Sequence, residues 1–221
     1  MFGFLHVIGV AAGAGALLWL RARARRRAAR SDDRAPVIVW TDEGVRFKCG
    51  SCDAWHVGVP NWHFGGPDAV TAMAPAERAQ RAAREGDAIV VDEKFCFVLA
   101  LLELPVQGMP EPYAWGVWVN IRGRDVASFV ELYNDEHRPA GATFEGRLGN
   151  SIPGYPETRN LPVRLVVRPF PTRPLAEVVD DTHPLAHDQR AGVSQEALRR
   201  QITPLFARER PDAGPAAEAT V

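Results

Sequence analysis

The sequence predicts an α+β fold, a mostly antiparallel sheet with a few covering helices, preceded by one transmembrane helix. Three observations carry this. The first is a long uncharged run that ends in a cluster of arginines. The second is a set of six segments with the alternation or β-branched content of strands. The third is a scarcity of helices long enough for the crossovers that a parallel sheet requires.

Residues 2–20 contain no Asp, Glu, Lys or Arg; at about 1.5 Å per residue a helix of this length spans roughly 28 Å, the thickness of a hydrocarbon core. Arg21, Arg23, Arg25, Arg26, Arg27 and Arg30 follow directly. Such a density of positive charge resists translocation and fixes its own side as cytoplasmic. A secretory signal would carry its charge before the apolar run. The expected arrangement is therefore an anchor over 1–20 in the inner membrane, a basic juxtamembrane linker over 21–35, a cytoplasmic globular domain over 36–206 and a disordered tail over 207–221. The bilayer is the expected partner of residues 2–20, and its anionic phosphates the partner of the arginines up to Arg30. Gly9 and Gly13, four apart, are a candidate contact for a homodimer of anchors.

Without those six arginines the chain keeps 20 basic against 27 acidic side chains, a net charge of about −7. An acidic body repels nucleic acid, which is not an expected partner. Three cysteines in a cytoplasmic domain do not make a disulfide framework.

Strands are expected at Val37–Trp40, Val45–Lys48, Ala88–Val91, Phe95–Leu104, Tyr113–Ile121 and Val163–Arg168, with Asp92, Glu93 and Lys94 as a hairpin turn. Pro75 and Gly86 bracket an Ala/Arg/Glu-rich helix. Asp125 can cap a second, whose Val126, Phe129, Val130 and Tyr133 form one stripe. Ser194 can cap a third through Ala197, Leu198 and Ile202, which Pro204 should stop or kink. Residues 152–158 read as a structured loop in which Tyr155–Pro156 is a candidate cis bond.

Cys49-Gly-Ser-Cys52 follows a strand, and a tight turn there points both sulfurs at one metal ion. His56 is the nearest further ligand and His183 the best distant one, so Cys49, Cys52, His56 and His183 are the candidate zinc set. A redox dithiol and a metal-free pair are the alternatives, the former lacking the helix that would activate a thiol. Asp180, Asp181, His183, His187, Asp188 and Gln189 form a polar cluster able to supply acid/base groups or ligands, or simply a polar loop before the third helix. Trp115 and Trp118, three apart on one strand, face opposite sides of the sheet; core filling is the leading role for both, and an uncovered indole would be a binding surface. Tyr155, His187, Asp188 and Gln189 complete that candidate surface.

These segments, in this order, resemble the bacterial family known as domain of unknown function 2199 over approximately Phe47–Thr203. The resemblance rests on Cys49-x-x-Cys52 with His56, on Trp115-Gly-Val-Trp-Val119, on Pro153-Gly-Tyr-Pro156, and on His183-Pro-Leu with Gln189 and Gly192. Asp53 departs from the glycine frequent there, as does the anchor. The family implies no activity and no catalytic residues. The leading expectation is a non-catalytic binding or interaction module for an unknown protein or small molecule, with zinc as a structural cofactor. The alternatives are a metal-dependent or acid/base hydrolase built on His183 to Gln189, and an immunity-type protein that binds a toxin.

Overall fold

A computed structural model describes residues 37–41, 44–49 and 54–206. The anchor over 1–20, with Gly9 and Gly13, the basic linker over 21–35, Cys52 and the tail over 207–221 lie outside these residues. Among the described residues no helix is long and apolar enough to cross a membrane. The described residues fall into two compact units, one of Asn61–Gln195, the other of those up to Pro60 and those from Glu196 to Phe206.

The larger unit runs β4 (Trp62–His63), α1 (Asp68–Thr71), α2 (Pro75–Arg81), β5 (Ala82–Glu85), β6 (Ala88–Val91), β7 (Phe95–Leu104), β8 (Tyr113–Ile121), α3 (Val126–Asn134), β9 (Thr143–Leu148), β10 (Pro162–Val166), β11 (Leu175–Val178) and α4 (Pro184–Ala191). Its sheet has the order β4-β8-β9-β10-β11-β7-β6-β5, and β7 also pairs with β8, so β7 to β11 close into a five-stranded barrel. The ladder is antiparallel except where β4 meets β8 and β11 meets β7. The expected antiparallel α+β fold is thus present, and barrel closure is an addition to it.

Period-2 alternation divides β7 and β8 between two cores. Ala100, Leu102, Trp115, Val117 and Val119 share a face with Leu165 and Ala176 inside the barrel, all fully buried. Leu99 and Trp118 face outward against Val70, Ile89 and Val91. Close approach of β4 depends on Gly116: a Cβ there would lie 2.2 Å from the His63 ring. Arg138 is buried without a carboxylate partner among the described residues; its guanidinium donates instead to the carbonyls of Tyr133, Arg168 and Thr172, which offsets the cost of desolvating the charge.

The smaller unit has strands β1 (Val37–Thr41), β2 (Gly44–Lys48) and β3 (Trp55–Val57) in the order β1-β2-β3, with α5 (Gln195–Phe206). Directly opposed residues share a face. Ile38, Trp40, Val45, Phe47 and His56 therefore form one face, and Val37, Val39, Arg46, Lys48, Trp55 and Val57 the other. On the first, His56 stacks on Phe47 and Arg199 of α5 lies over the Trp40 ring at 5.8 Å.

Several expectations are corrected. The Pro75 helix stops at Arg81, whose guanidinium bonds Glu77 and both oxygens of Asp92, and Gly86, at φ +57°, turns a β5–β6 hairpin instead of ending a helix. The hairpin turn expected at Asp92, Glu93 and Lys94 is present: Asp92 and Glu93 both take positive φ, the backbone of a type I′ turn. Asp125 stands at the N-cap of α3 but its side chain makes no capping bond, because a 3-10 turn over Gly123–Asp125 precedes the helix. Pro204 neither stops nor ends α5; it falls in the last turn, where only one intrahelical bond is forfeited. The strand expected to reach Arg168 ends at Val166, and the cis bond is Phe170–Pro171, not Tyr155–Pro156. The polar run 184–191 is a helix, not a loop.

Candidate functional site

Loops carry binding residues well when a rigid scaffold fixes them. The connection between β9 and β10 is such a loop, and a fully buried amide fixes it. Asn150 Oδ1 accepts from the Trp118 amide at 2.8 Å, while Nδ2 donates to the Gly66 carbonyl at 2.8 Å and to Asp68 Oδ1 at 2.9 Å. Asp68 Oδ2 accepts from the Ser151 amide at 2.7 Å. Thr158, also fully buried, donates to the Asn150 carbonyl at 2.7 Å and accepts from the Ile152 amide at 2.8 Å, which closes the loop on itself.

This loop borders a depression of about 250 Å³ lined by Pro67, Ala69, Phe97, Asn120, Leu148, Gly149, Glu157, Arg159 and Asn160. Phe97, Leu148 and Pro67 supply apolar surface. Asn120 is turned so that its amide nitrogen donates to the Ile121 and Cys96 carbonyls at 3.2 Å each. On the loop side Arg159 grips Glu157 through its side chain and its backbone amide, and these bonds hold the Glu157 carboxyl down to about 2. The two charges balance, so the lining has little net charge.

Beside the same loop, Tyr155 Oη donates to Asp188 Oδ2 at 2.9 Å and His187 Nδ1 lies 3.3 Å from Asp188 Oδ1. Three residues of the expected binding surface thus meet, and the His187 side chain is 74% exposed. Gln189 points the other way: its amide donates to the Ala176 carbonyl and accepts from the Val178 amide, tying α4 to β11. Trp115 and Trp118 are both fully buried, so neither indole is a contact surface. Trp118 donates to the Phe64 carbonyl at 2.8 Å, and Trp115 stacks edge-on with Tyr113.

The candidate zinc ligands are divided between the two units. Cys49 closes the β2–β3 hairpin, its amide donating to the Ala54 carbonyl at 2.9 Å, which continues the register that puts His56 on the Phe47 face. Cys52 is outside the described residues. His183 belongs to the larger unit and serves as the N-cap of α4, where Nδ1 accepts from the Leu185 amide at 3.2 Å. Its Nε2 is buried with no hydrogen-bond partner among the described residues. Among those residues, no group of three or more His, Cys, Asp or Glu is placed to hold a metal ion. Burial pushes the Cys96 thiol up to about 11, which makes it an inert core residue.

Another polar group escaped the sequence. Arg173 pairs with Asp87 at 2.7 Å, and Arg168 with Glu103 at 2.6 Å while donating to the Arg173 carbonyl. Near the first pair, burial and then the Arg173 charge lower the His63 pKa, against Asp87. Asn150, Thr158 and Arg159 were also missed. The one local signal was the Gly149-Asn150-Ser151 run after a strand, where an Asn amide commonly satisfies loop backbone.

Neither the curated proteins nor the solved structures include a significant match to this chain. The family described as an uncharacterized protein conserved in bacteria, DUF2199, matches residues 48–193. That span contains the hairpin cysteines, all of β3 to β11, the Asn150 loop and α4, and the chain belongs to this family.

Proposed function

We propose that this protein is a membrane-tethered, non-catalytic binding module that grips a short segment of a partner protein in the depression beside the Asn150 loop. The observation that carries the reading is the buried Asn150 amide, which holds that loop in one conformation before any partner arrives; pre-organisation lowers the entropic cost of binding. Apolar floor and polar rim suit the same role. At about 250 Å³ the space suits one or two side chains and is small for a cofactor.

The hydrolase reading has less support. The His183 ring caps a helix, the Gln189 amide serves β11, and His187 stands outside the depression. The immunity-type reading needs a binding face and is a special case of the first. Structural zinc remains a proposal for the β2–β3 hairpin, with Cys49, Cys52 and His56 as ligands and His183 released from the set by its capping role.

A photo-crosslinking residue at the exposed Ala69, introduced into the full chain in cells, tests the module. A discrete adduct of defined mass is expected from Ala69 and none from the exposed Glu131 of α3, and Arg159→Glu should diminish it. Equal labelling from both positions would overturn the proposal.

A further inference from the structure

The second face of the β1–β2–β3 sheet is unlike the rest of this acidic protein. Val37 is 52% exposed, Trp55 50% and Val57 92%, three apolar side chains on one small surface. Arg46 shares the face, with its guanidinium 4.9 Å from the centre of the Trp55 ring, and Lys48 is opposite Trp55 in register. Its described residues, which include Val39 and Thr41, contain no acid. Beyond residue 30 the chain nevertheless carries about −7.

We infer that this face rests on the surface of an anionic phospholipid bilayer. The inference depends on the reading of residues 2–20 as an anchor. Six residues separate Arg30 from Val37; fully extended they reach about 20 Å, so the sheet starts near the headgroups to which the arginines bind. Indole is the side chain that prefers the bilayer interface, and cations beside it meet lipid phosphate. Apolar contact and charge attraction act together here, as they do for interfacial helices. The remainder of the domain, being acidic, is repelled. A basic, aromatic face in an otherwise acidic chain therefore sets which side of this small sheet meets the lipid.

The test uses the full chain in nanodiscs of brominated phosphatidylcholine, with or without brominated phosphatidylglycerol. Bromine quenches only indoles that reach the lipid, and the Trp19→Phe and Trp55→Phe variants isolate the two signals. Trp55 should be quenched in the phosphatidylglycerol discs and escape quenching in phosphatidylcholine alone. Arg46→Glu should weaken that quenching about fivefold or more and leave the Trp19 signal unchanged. If Trp19 is quenched and Trp55 is not, the sheet-face proposal falls while the anchor stands. If neither is quenched, both fall. A Trp55 signal that follows protein concentration instead of lipid would assign the face to a second copy of the chain and overturn the proposal.

Discussion

Arg159 and Glu157 show how much one pair can organise. Both side chains are about half exposed, so their attraction adds little to global stability, yet it shapes the rim of the depression. The carboxyl is depressed below its ordinary value, so its contribution is complete above the ordinary carboxylate range and is lost as pH falls through about 2. NMR titration of Glu157 should give a midpoint near that value in the native chain and a higher one in Arg159→Ala, still below the ordinary value because the residue 159 amide and the Ser151 hydroxyl go on donating to the carboxylate. Asn150 differs, because its bonds are buried. Asn150→Ala strands the Trp118 amide and the Gly66 carbonyl and should cost about 3 kcal/mol in chemical denaturation. Neither role was legible in the sequence, since an Asn or Arg in a Gly/Pro-rich stretch looks the same whether buried or solvated. Trp115 and Trp118 were legible, because strand period alone assigns them to opposite faces and both faces are covered.

Among elements, β6, β7 and β8 have the bounds expected from their β-branched and aromatic runs, since strands buried on both faces have few alternatives. The errors have local causes. Ala82–Glu85 continues the Ala/Arg/Glu composition of α2, and only pairing with β6 draws it into the sheet. Helix α4 was obscured because its buried residues are just Leu185 and Ala186, too short an apolar stripe to show periodicity. The start of α4 provides its own test. His183→Ala should cost about 1 kcal/mol, and His183→Asn, which restores a capping acceptor, should recover most of it. A zinc ligand would behave differently, losing metal in both variants.

For the molecule as a whole, closure of the barrel depends on the pairing of β11 with β7, at Leu175 and Leu101, far apart in sequence. No local pattern announces such a contact, so the sequence predicted the strands and the fold class but not the ring. Stability should follow this architecture. In native-state hydrogen exchange, β7 and β8, buried on both faces, should be protected to the global limit, and the exposed three-residue β3 should exchange fastest. If Cys49, Cys52 and His56 hold zinc, a chelator should accelerate exchange in β2 and β3 while leaving β7 and β8 unchanged. The ring also matters for proteins crowded together, as tethering to a surface would crowd this one. An open sheet invites edge-to-edge polymerisation; here the edges of the larger unit are β4 and β5, with two and four residues. The larger unit thus offers neighbouring copies almost no template for a shared sheet.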